Sequence, residues 1–380
     1  MAGIYIHIPF CKQACYYCNF HFSTTLNLKE EIVAALVKEI NLSSSSILND
    51  ETPKEIIETI YFGGGTPSLL SYPEIKILLN AIKDNFSVSG DAEITLEANP
   101  DDIDIEKLLL WREAGINRLS IGIQSFKEND LAWMNRIHNK TQATESISLV
   151  KNAGFTNFSV DLIYGTPGLT DEEWKFNVDT IINSGAPHIA CYALTVEPNT
   201  ALQKMIAQKK KSDINTDQQA TQFLLVMKWL KAAGYEHYEI SNFAKPDFHS
   251  RHNSSYWQGK KYLGIGPSAH SYNGESRRWN VANNALYIQS IKNNIIPFEE
   301  EKLSYNQKLN EYIMTSLRTM EGLDLNFIEA NFSLQERKRI ESCANDYLGR
   351  RLLISRNENF VLTDEGKLFA DGIASNLFRI

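Results

Sequence analysis

The sequence lacks the features that mark several classes of protein. It has no run of about 18 or more apolar residues, which a membrane-spanning helix would require. It has no excess of positive charge, because 38 Lys and Arg stand against 46 Asp and Glu, and the formal net charge is −8. We therefore expect no nucleic-acid partner, since phosphate binding needs a basic face. The first residues also lack the basic start and long apolar run of a secretory signal, so we expect a cytoplasmic protein.

What is present is an ordinary globular composition. Hydrophobic residues make up 43% and charged residues 22% of the 380 residues, which excludes a disordered or fibrous chain. At roughly 100–200 residues per domain, this length indicates two or three domains, or one large domain with an appendage. A chain of this length can bury a large core without disulfide bonds.

Short β-rich segments alternate with amphipathic helical segments over the first two-thirds of the chain. This alternation predicts βαβ units and a parallel sheet. Six strands in series without a Rossmann glycine fingerprint favour an α/β fold of the partial (β/α)6 TIM-barrel type. The predicted strands are Ile4–Pro9, Thr59–Phe62, Glu93–Glu97, Arg118–Gln124, Ser159–Tyr164 and His188–Thr195.

The last 80 or so residues follow a different pattern, with helices and a terminal hairpin in place of βαβ units. They indicate a smaller C-terminal helical domain that resembles a winged helix. We predict a core domain at residues 1–240, a connecting segment at residues 241–300 and the C-terminal domain at residues 301–380.

Three of the five cysteines lie within eight residues, at Cys11, Cys15 and Cys18. An odd number with this clustering does not fit a disulfide framework. Three thiolates suit three irons of a [4Fe–4S] cluster and leave the fourth iron open. A zinc site is the alternative, and it would need a fourth ligand, for which His21 is the nearest candidate.

The CxxxCxxC spacing directly after a first strand resembles the radical S-adenosylmethionine (SAM) superfamily. Further matching motifs are Gly63–Pro67 (GGGTP) after the second strand, Glu97 on the third and Gly122–Ser125 on the fourth. Within the superfamily, the chain is similar to the oxygen-independent coproporphyrinogen III oxidase-like family, and in that family to its heme chaperone branch.

This resemblance implies that the three cysteines hold a [4Fe–4S] cluster and that a set of polar and glycine residues contacts SAM. Glycines allow the backbone to approach a ligand closely, and Arg136 is suited to the SAM carboxylate. Asp161 lies in an apolar strand, where a charge needs a partner or a ligand. The implied SAM contacts are Tyr5, Gly64, Gly65, Thr66, Glu97, Gln124, Arg136 and Asp161.

Two departures from the coproporphyrinogen-oxidising enzymes put that activity in doubt. Those enzymes have a fourth cysteine two residues after the third, where this chain has Phe20, and a longer segment before the first cysteine. The chain also contains an HNxxYW motif that matches the heme chaperone branch. Its residues His252, Asn253, Tyr256 and Trp257 are the predicted heme contacts, since imidazole can ligate heme iron and aromatic rings can flank a macrocycle.

His249 and His270 are competing candidates for the heme ligand, and Cys191 is a weaker one. The predicted function is that of a heme chaperone, which binds heme and passes it to acceptor hemoproteins, including membrane-bound ones, with an electron donor for the cluster. The first alternative is a radical SAM coproporphyrinogen III dehydrogenase or another porphyrin-modifying enzyme. The second is an iron–sulfur or zinc protein without radical chemistry.

Overall fold

The computed structural model of the protein describes residues 2–47 and 55–380, and its main body is one large sheet covered by helices. The first six strands each pair in parallel with the next strand along the chain. They are β1 Ala2–Ile8, β2 Ile57–Gly64, β3 Val88–Ala98, β4 Arg118–Gln124, β5 Phe158–Tyr164 and β6 His188–Ala193. The six predicted strands are therefore confirmed.

Six further strands extend this sheet on both sides, and they are β7 Glu236–Glu239, β8 Asn242–Ala244, β9 Lys261–Ile265, β10 His270–Tyr272, β11 Ser276–Asn280 and β12 Phe298–Lys302. Strand β9 pairs in parallel with β1, and β10, β11 and β12 continue from it as antiparallel neighbours. Strands β8 and β7 follow β6 on the other side. In the described part of the chain, β12 and β7 form opposite ends of the sheet, so the barrel is open as predicted.

Ten helices accompany this sheet in the described residues: α1 Lys29–Ile47, α2 Tyr72–Asn85, α3 Ile105–Ala114, α4 Glu128–Met134, α5 Lys140–Asn152, α6 Asp171–Ser184, α7 Ala201–Ala207, α8 Thr216–Ala232, α9 Arg251–Trp257 and α10 Asn284–Lys292. Local sequence fixes several of their ends. Capping boxes start α5 at Asn139 and α6 at Thr170, where each side chain accepts a backbone N–H. No helix in residues 2–47 or 55–380 combines the length and apolarity needed to cross a membrane.

The two faces of the sheet have different chemistry because side chains alternate along each strand. On β1, Ile4, Ile6 and Ile8 are buried in the apolar core with the helices. Tyr5 and His7 point to the concave face instead. Strand β3 repeats this pattern, with Glu93, Thr95 and Glu97 on the concave face. The interior is therefore polar, whereas closed TIM barrels fill theirs mainly with branched apolar residues.

The C-terminal region has its own apolar core, which includes Leu309, Ile340 and Leu377. It comprises α11 Tyr305–Ser316, β13 Leu323–Asp324, α12 Leu325–Asn331, α13 Leu334–Gly349, β14 Leu353–Arg356, β15 Asn359–Leu362, α14 Asp364–Lys367 and α15 Ala370–Leu377. The three strands form a small antiparallel sheet, which fits the predicted winged-helix-like unit. The predicted domain boundaries stay a prediction, and β9–β12 join the intervening segment to the main sheet.

One buried carboxylate connects α1 to the added strands. Glu39 accepts hydrogen bonds from the Gly266 backbone N–H at 2.7 Å, the Asn280 side-chain amide at 2.7 Å and the Tyr287 hydroxyl at 2.5 Å. Glu39 is almost fully buried. Its three donors would lose their only shared acceptor if the carboxylate were removed.

We expect Glu39→Ala to lower the free energy of unfolding by about 2–4 kcal/mol, since it leaves buried donors unsatisfied. Urea denaturation followed by circular dichroism would measure the change. The control is Glu31→Ala on the same helix, where an exposed ion pair with Lys292 is worth at most about 1 kcal/mol. Equal losses for the two variants would contradict this structural role of Glu39.

Candidate functional site

A cavity of about 660 Å³ opens at the carboxyl ends of the parallel strands, which is where (β/α) folds place their functional groups. Its walls come from the loop after β1 and from the ends of β2 to β6. The residues that define its chemistry are Cys11, Cys15, Cys18, Gly64, Gly65, Thr66, Glu97, Asn99, Gln124, Arg136, Asp161 and Tyr192.

The three clustered cysteines lie on the loop that follows β1, and all three line this cavity. The Thr66 hydroxyl donates to Cys11 Sγ at 3.4 Å, and Arg136 Nη1 lies 3.5 Å from Cys15 Sγ. Burial raises the pKa of the Cys11 thiol and raises that of Cys18 to about 11. These thiols would therefore ionise readily only beside an additional positive group such as a metal centre.

The sulfurs share the cavity without meeting at one point. Among the residues that the structure describes, no three His, Cys, Asp or Glu side chains converge closely enough to hold a single metal ion. In a [4Fe–4S] cluster each cysteine binds a different iron. The separation of the three thiols around one cavity is therefore compatible with a cluster as the bound group.

The glycine triplet after β2 brings that strand's end against the cysteine loop. A Cβ on Gly65 would lie 2.5 Å from the Phe10 carbonyl oxygen, and Gly65 N–H donates to the Ile8 carbonyl at 2.9 Å. Gly64 has a φ of +108°, and a Cβ there would lie 2.6 Å from the His7 ring. Side chains at these two positions would push the β2 turn away from the loop that carries the cysteines.

Two of the carboxyl groups that line the cavity, those of Glu97 and Asp161, lie on strands of the sheet. Glu97 Oε1 accepts from the Tyr61 hydroxyl at 2.8 Å, and its Oε2 accepts from the Gly64 N–H at 3.2 Å. Burial raises the pKa of Glu97 to about 7, and the nearby Asp161 adds to the rise. Burial likewise raises the pKa of Asp161 to about 6. A ligand with an ammonium group or several hydroxyls would relieve this unfavourable burial.

Arg136 is the cation of the site, and it lies between the cysteine loop and β4. Its Nη2 donates to Asn99 Oδ1 at 2.7 Å and to the Gly122 carbonyl at 2.8 Å. Its Nε is buried and has no hydrogen-bond partner among the described residues. A buried donor without a partner is costly, so this nitrogen fits a ligand carboxylate. Gln124 is folded back beside Gly122 and also lines the cavity.

The structure brings together seven of the eight predicted SAM contacts, Gly64, Gly65, Thr66, Glu97, Gln124, Arg136 and Asp161, with the three cysteines. Tyr5 lies one layer deeper, outside the cavity lining. Its hydroxyl is 3.3 Å from His7 Nδ1, and its ring is stacked on Tyr61 with centroids 6.1 Å apart. The sequence motifs did not identify Tyr61 or Asn99, although the alternation along β2 would have placed Tyr61 on the same face as Gly63.

The HNxxYW residues lie at the opposite end of the strands, on the short helix α9. His252 is 1% exposed. Its Nδ1 is 2.8 Å from the Thr59 hydroxyl, and its Nε2 is 2.9 Å from the Tyr256 hydroxyl. Burial lowers the pKa of His252 to about 3, so the ring is neutral at neutral pH. Both ring nitrogens are engaged, and an iron–imidazole bond would require one of these hydrogen bonds to break.

The other motif residues and the competing histidines are more accessible. Asn253 and Trp257 are partly exposed, and Arg318 of the C-terminal region lies over the Trp257 ring at 5.9 Å. His249 pairs with Glu236 at 2.9 Å. His270 is exposed, and its ring makes no hydrogen bond within the described residues. The role of all these residues in heme binding stays a prediction.

Comparison with known proteins identifies the class to which this fold and this site belong. The radical SAM superfamily model matches residues 5–181, and the HemN C-terminal domain model matches residues 303–369. The solved structure of coproporphyrinogen III oxidase (HemN) from Escherichia coli, a radical SAM enzyme, has a TM-score of 0.84. It is 23% identical, with 99% of this chain and 90% of that chain covered, which shows the shared fold. The chain is therefore a radical SAM protein.

Full-length relatives define its place within that class. Heme chaperone HemW of Mycobacterium tuberculosis (strain ATCC 25618 / H37Rv) is 34% identical over 380 residues, covering 99% of this chain and 94% of the relative. Heme chaperone HemW of Bacillus subtilis (strain 168) is 32% identical over 377 residues, covering 98% of both. The chain belongs to the heme chaperone HemW branch of the oxygen-independent coproporphyrinogen III oxidase-like family.

The raised pKa of Glu97 predicts a pH-dependent stability for the protein without its cofactors. Because the folded pKa of about 7 exceeds the ordinary value of 4.5, its contribution to stability is complete below about pH 4.5. That contribution is lost as the pH rises through 7. We expect Glu97→Gln to be more stable than wild type at pH 8 by on the order of 1–2 kcal/mol, and equal to it near pH 4.5.

Urea denaturation at these two pH values would measure the difference. The surface variant Glu31→Gln serves as the control and should follow wild type at both. If Glu97→Gln and wild type lost the same stability between the two pH values, the burial of an ionised Glu97 would carry no free-energy cost, and the expected pH dependence would be wrong.

Proposed function

We propose that this chain is a heme chaperone that holds a SAM-coordinating [4Fe–4S] cluster and delivers heme to acceptor hemoproteins. The observation that carries the proposal is the cavity that three thiols, the Arg136 guanidinium and the carboxyl groups of Glu97 and Asp161 line together. Cys11, Cys15 and Cys18 would each hold one iron, and the fourth iron would remain open to SAM. The relatives named heme chaperone HemW support the same function across nearly the whole chain.

The polar groups of the cavity match the groups of SAM. Arg136 Nε, which lacks a partner among the described residues, would bind the methionyl carboxylate. Glu97 and Asp161 would accept hydrogen bonds from the amine and the ribose hydroxyls, and these contacts would stabilise their ionised forms. When it is bound and reduced, the cluster supplies the electron for the chemistry of SAM. The chain itself orients SAM and excludes water from the buried wall of the cavity.

The heme part of the function is supported by the family and by the HNxxYW motif. We propose His252 as the iron ligand, with Asn253, Tyr256 and Trp257 beside the macrocycle. His252 Nε2 would bind the heme iron only where its hydrogen bond to the Tyr256 hydroxyl is open. Trp257 is partly exposed beside the C-terminal region and would offer an aromatic surface to the macrocycle.

Phe20 bears on the difference between a chaperone and a coproporphyrinogen-oxidising enzyme. Its side chain is 66% exposed at the mouth of the cavity, where those enzymes have a further cysteine. An exposed phenyl ring offers apolar surface and no thiol. We therefore propose a cytoplasmic protein that does not decarboxylate coproporphyrinogen, with an electron donor for its cluster and acceptors that include membrane hemoproteins.

We expect anaerobically reconstituted protein to contain about four irons and four sulfides per chain. The triple variant Cys11→Ala/Cys15→Ala/Cys18→Ala should lose both, because no other cysteine of the described residues lines the cavity. Iron and sulfide analysis with electron paramagnetic resonance would measure this. Cys343→Ala, which removes an exposed thiol elsewhere, should retain the full cluster. Zinc in place of iron in wild-type protein would refute the cluster.

We expect hemin to bind wild-type protein at about one heme per chain with a stable Soret band, and His252→Ala to weaken that band. The matched control is His188→Ala, because His188 is also buried and also contacts a tyrosine hydroxyl, Tyr238, at 2.7 Å. If both variants weakened the Soret band equally, the effect of His252→Ala would reflect lost packing and not a lost iron ligand. Conversion of coproporphyrinogen to protoporphyrinogen by wild-type protein would favour the dehydrogenase instead.

A further inference from the structure

His252, the proposed heme ligand, contacts the ring of Tyr61, and the Tyr61 hydroxyl donates to Glu97 in the cavity wall. We propose that His252 is also a positioning residue for SAM binding: it fixes the ring of Tyr61, whose hydroxyl holds Glu97 at the cavity wall. This inference rests on the proposed function, because it concerns the SAM part of the site. It adds to that function a link between the two ends of the strands.

The His252 ring has a fixed position between β1, β2 and its own helix. Gly3 on β1 and Thr59 on β2 are paired in register. A Cβ on Gly3 would lie 3.2 Å from the His252 ring and 2.8 Å from Thr59 Oγ1. The missing side chain therefore leaves the space that the imidazole fills. Hydrogen bonds to the Thr59 and Tyr256 hydroxyls fix its orientation.

The helix that carries His252 is itself anchored to the sheet. Glu93 Oε2 and Oε1 accept the backbone N–H groups of Arg251 and His252, both at 3.0 Å. Glu93 lies on β3 and is nearly fully buried, 3.9 Å from the buried Arg118. Three strands thus hold His252. Its ring contacts β1 at Gly3 and is hydrogen-bonded to Thr59 on β2, and its backbone N–H donates to the Glu93 carboxylate on β3.

Three stacked rings connect His252 to the cavity wall, and we call them the ring stack: His252, Tyr61 and Tyr5. The His252 and Tyr61 centroids are 4.9 Å apart with an interplanar angle of 22°. Tyr5 stacks on Tyr61 at 6.1 Å and 21°. Offset stacking at such distances is attractive and orients each ring relative to its neighbours. Removing the imidazole would leave a void beneath Tyr61 and free its ring to tilt.

A hydrogen bond connects Tyr61 of the ring stack to Glu97 in the cavity wall. Its hydroxyl donates to Glu97 Oε1 at 2.8 Å, while the Gly64 N–H occupies Oε2. Each carboxylate oxygen then retains a lone pair for a ligand. A tilted Tyr61 would release Oε1 and let the carboxylate rotate. Because ligand contacts require well-held partner groups, the SAM affinity depends on the ring stack.

The experiment measures SAM binding to heme-free, cluster-reconstituted protein by isothermal titration under anaerobic conditions. Tyr61→Phe removes only the hydroxyl, and His252→Phe keeps an aromatic ring but removes both hydrogen bonds. We expect Tyr61→Phe to weaken SAM binding about tenfold, the effect of losing one hydrogen bond to a charged group. His252→Phe should cause a similar loss, because a ring without its two hydrogen bonds no longer fixes the Tyr61 hydroxyl on Glu97. His188→Phe, at a buried site without contact to the ring stack, should keep wild-type affinity.

The double variant Tyr61→Phe/His252→Phe distinguishes positioning from general destabilisation. If His252 acts through Tyr61, the double variant binds SAM no more weakly than Tyr61→Phe alone, whereas independent effects would multiply to about a hundredfold. Thr59→Val, which removes the Nδ1 contact and keeps the side-chain shape, serves if His252→Phe fails to fold. It should weaken SAM binding by severalfold.

The outcomes separate this inference from the proposed function. Wild-type protein that holds a cluster and binds no SAM would overturn the proposed SAM site. Wild-type protein that binds SAM, together with unchanged affinity in His252→Phe and Thr59→Val, would overturn the positioning role alone. The positioning role would also be overturned if the loss of SAM affinity in the double variant were the product of the two single losses. It would likewise be overturned if His188→Phe lost as much SAM affinity as His252→Phe.

Discussion

The structure depends on keeping ionisable groups inside an open barrel of parallel strands. Glu93, Glu97, Arg118 and Asp161 all lie on the concave face, where a carboxylate or guanidinium without partners costs several kcal/mol. At the amino ends of the strands, backbone N–H groups of α9 donate to Glu93, which lies 3.9 Å from Arg118. At the carboxyl ends, the three thiols and Arg136 line a cavity, and Arg136 Nε has no hydrogen-bond partner among the described residues.

One end of the barrel therefore opens into a cavity, whereas α9 packs against the other end. Side chains that a protein needs only for stability can be satisfied by other side chains or by backbone groups. Burial raises the pKa values of Glu97 and Asp161, although Tyr61 and Gly64 donate hydrogen bonds to Glu97 and Ser120 donates to Asp161. The glycine triplet has a structural cause as well, since it lets the β2 turn lie against the cysteine loop.

Much of this architecture could be predicted from the sequence because it follows from local patterns. The six parallel strands follow from the alternation of β-rich and helical segments. The seven predicted SAM contacts that line the cavity were implied by the resemblance of the sequence motifs to a known family. Strands β9 to β12 were not predicted, because they are short and polar and are held by distant residues such as Glu39. The burial of His252 depends on Gly3 and Thr59, which no motif marks.

The position of α9 at the far end of β1 and β2 has a thermodynamic consequence. If heme binds His252 as proposed and draws its imidazole away from Tyr61, the Tyr61 ring that holds Glu97 would lose a support, and heme binding would weaken SAM binding. Linkage makes the penalty mutual and equal in free energy. With such a coupling, the protein would release heme more readily when SAM is bound.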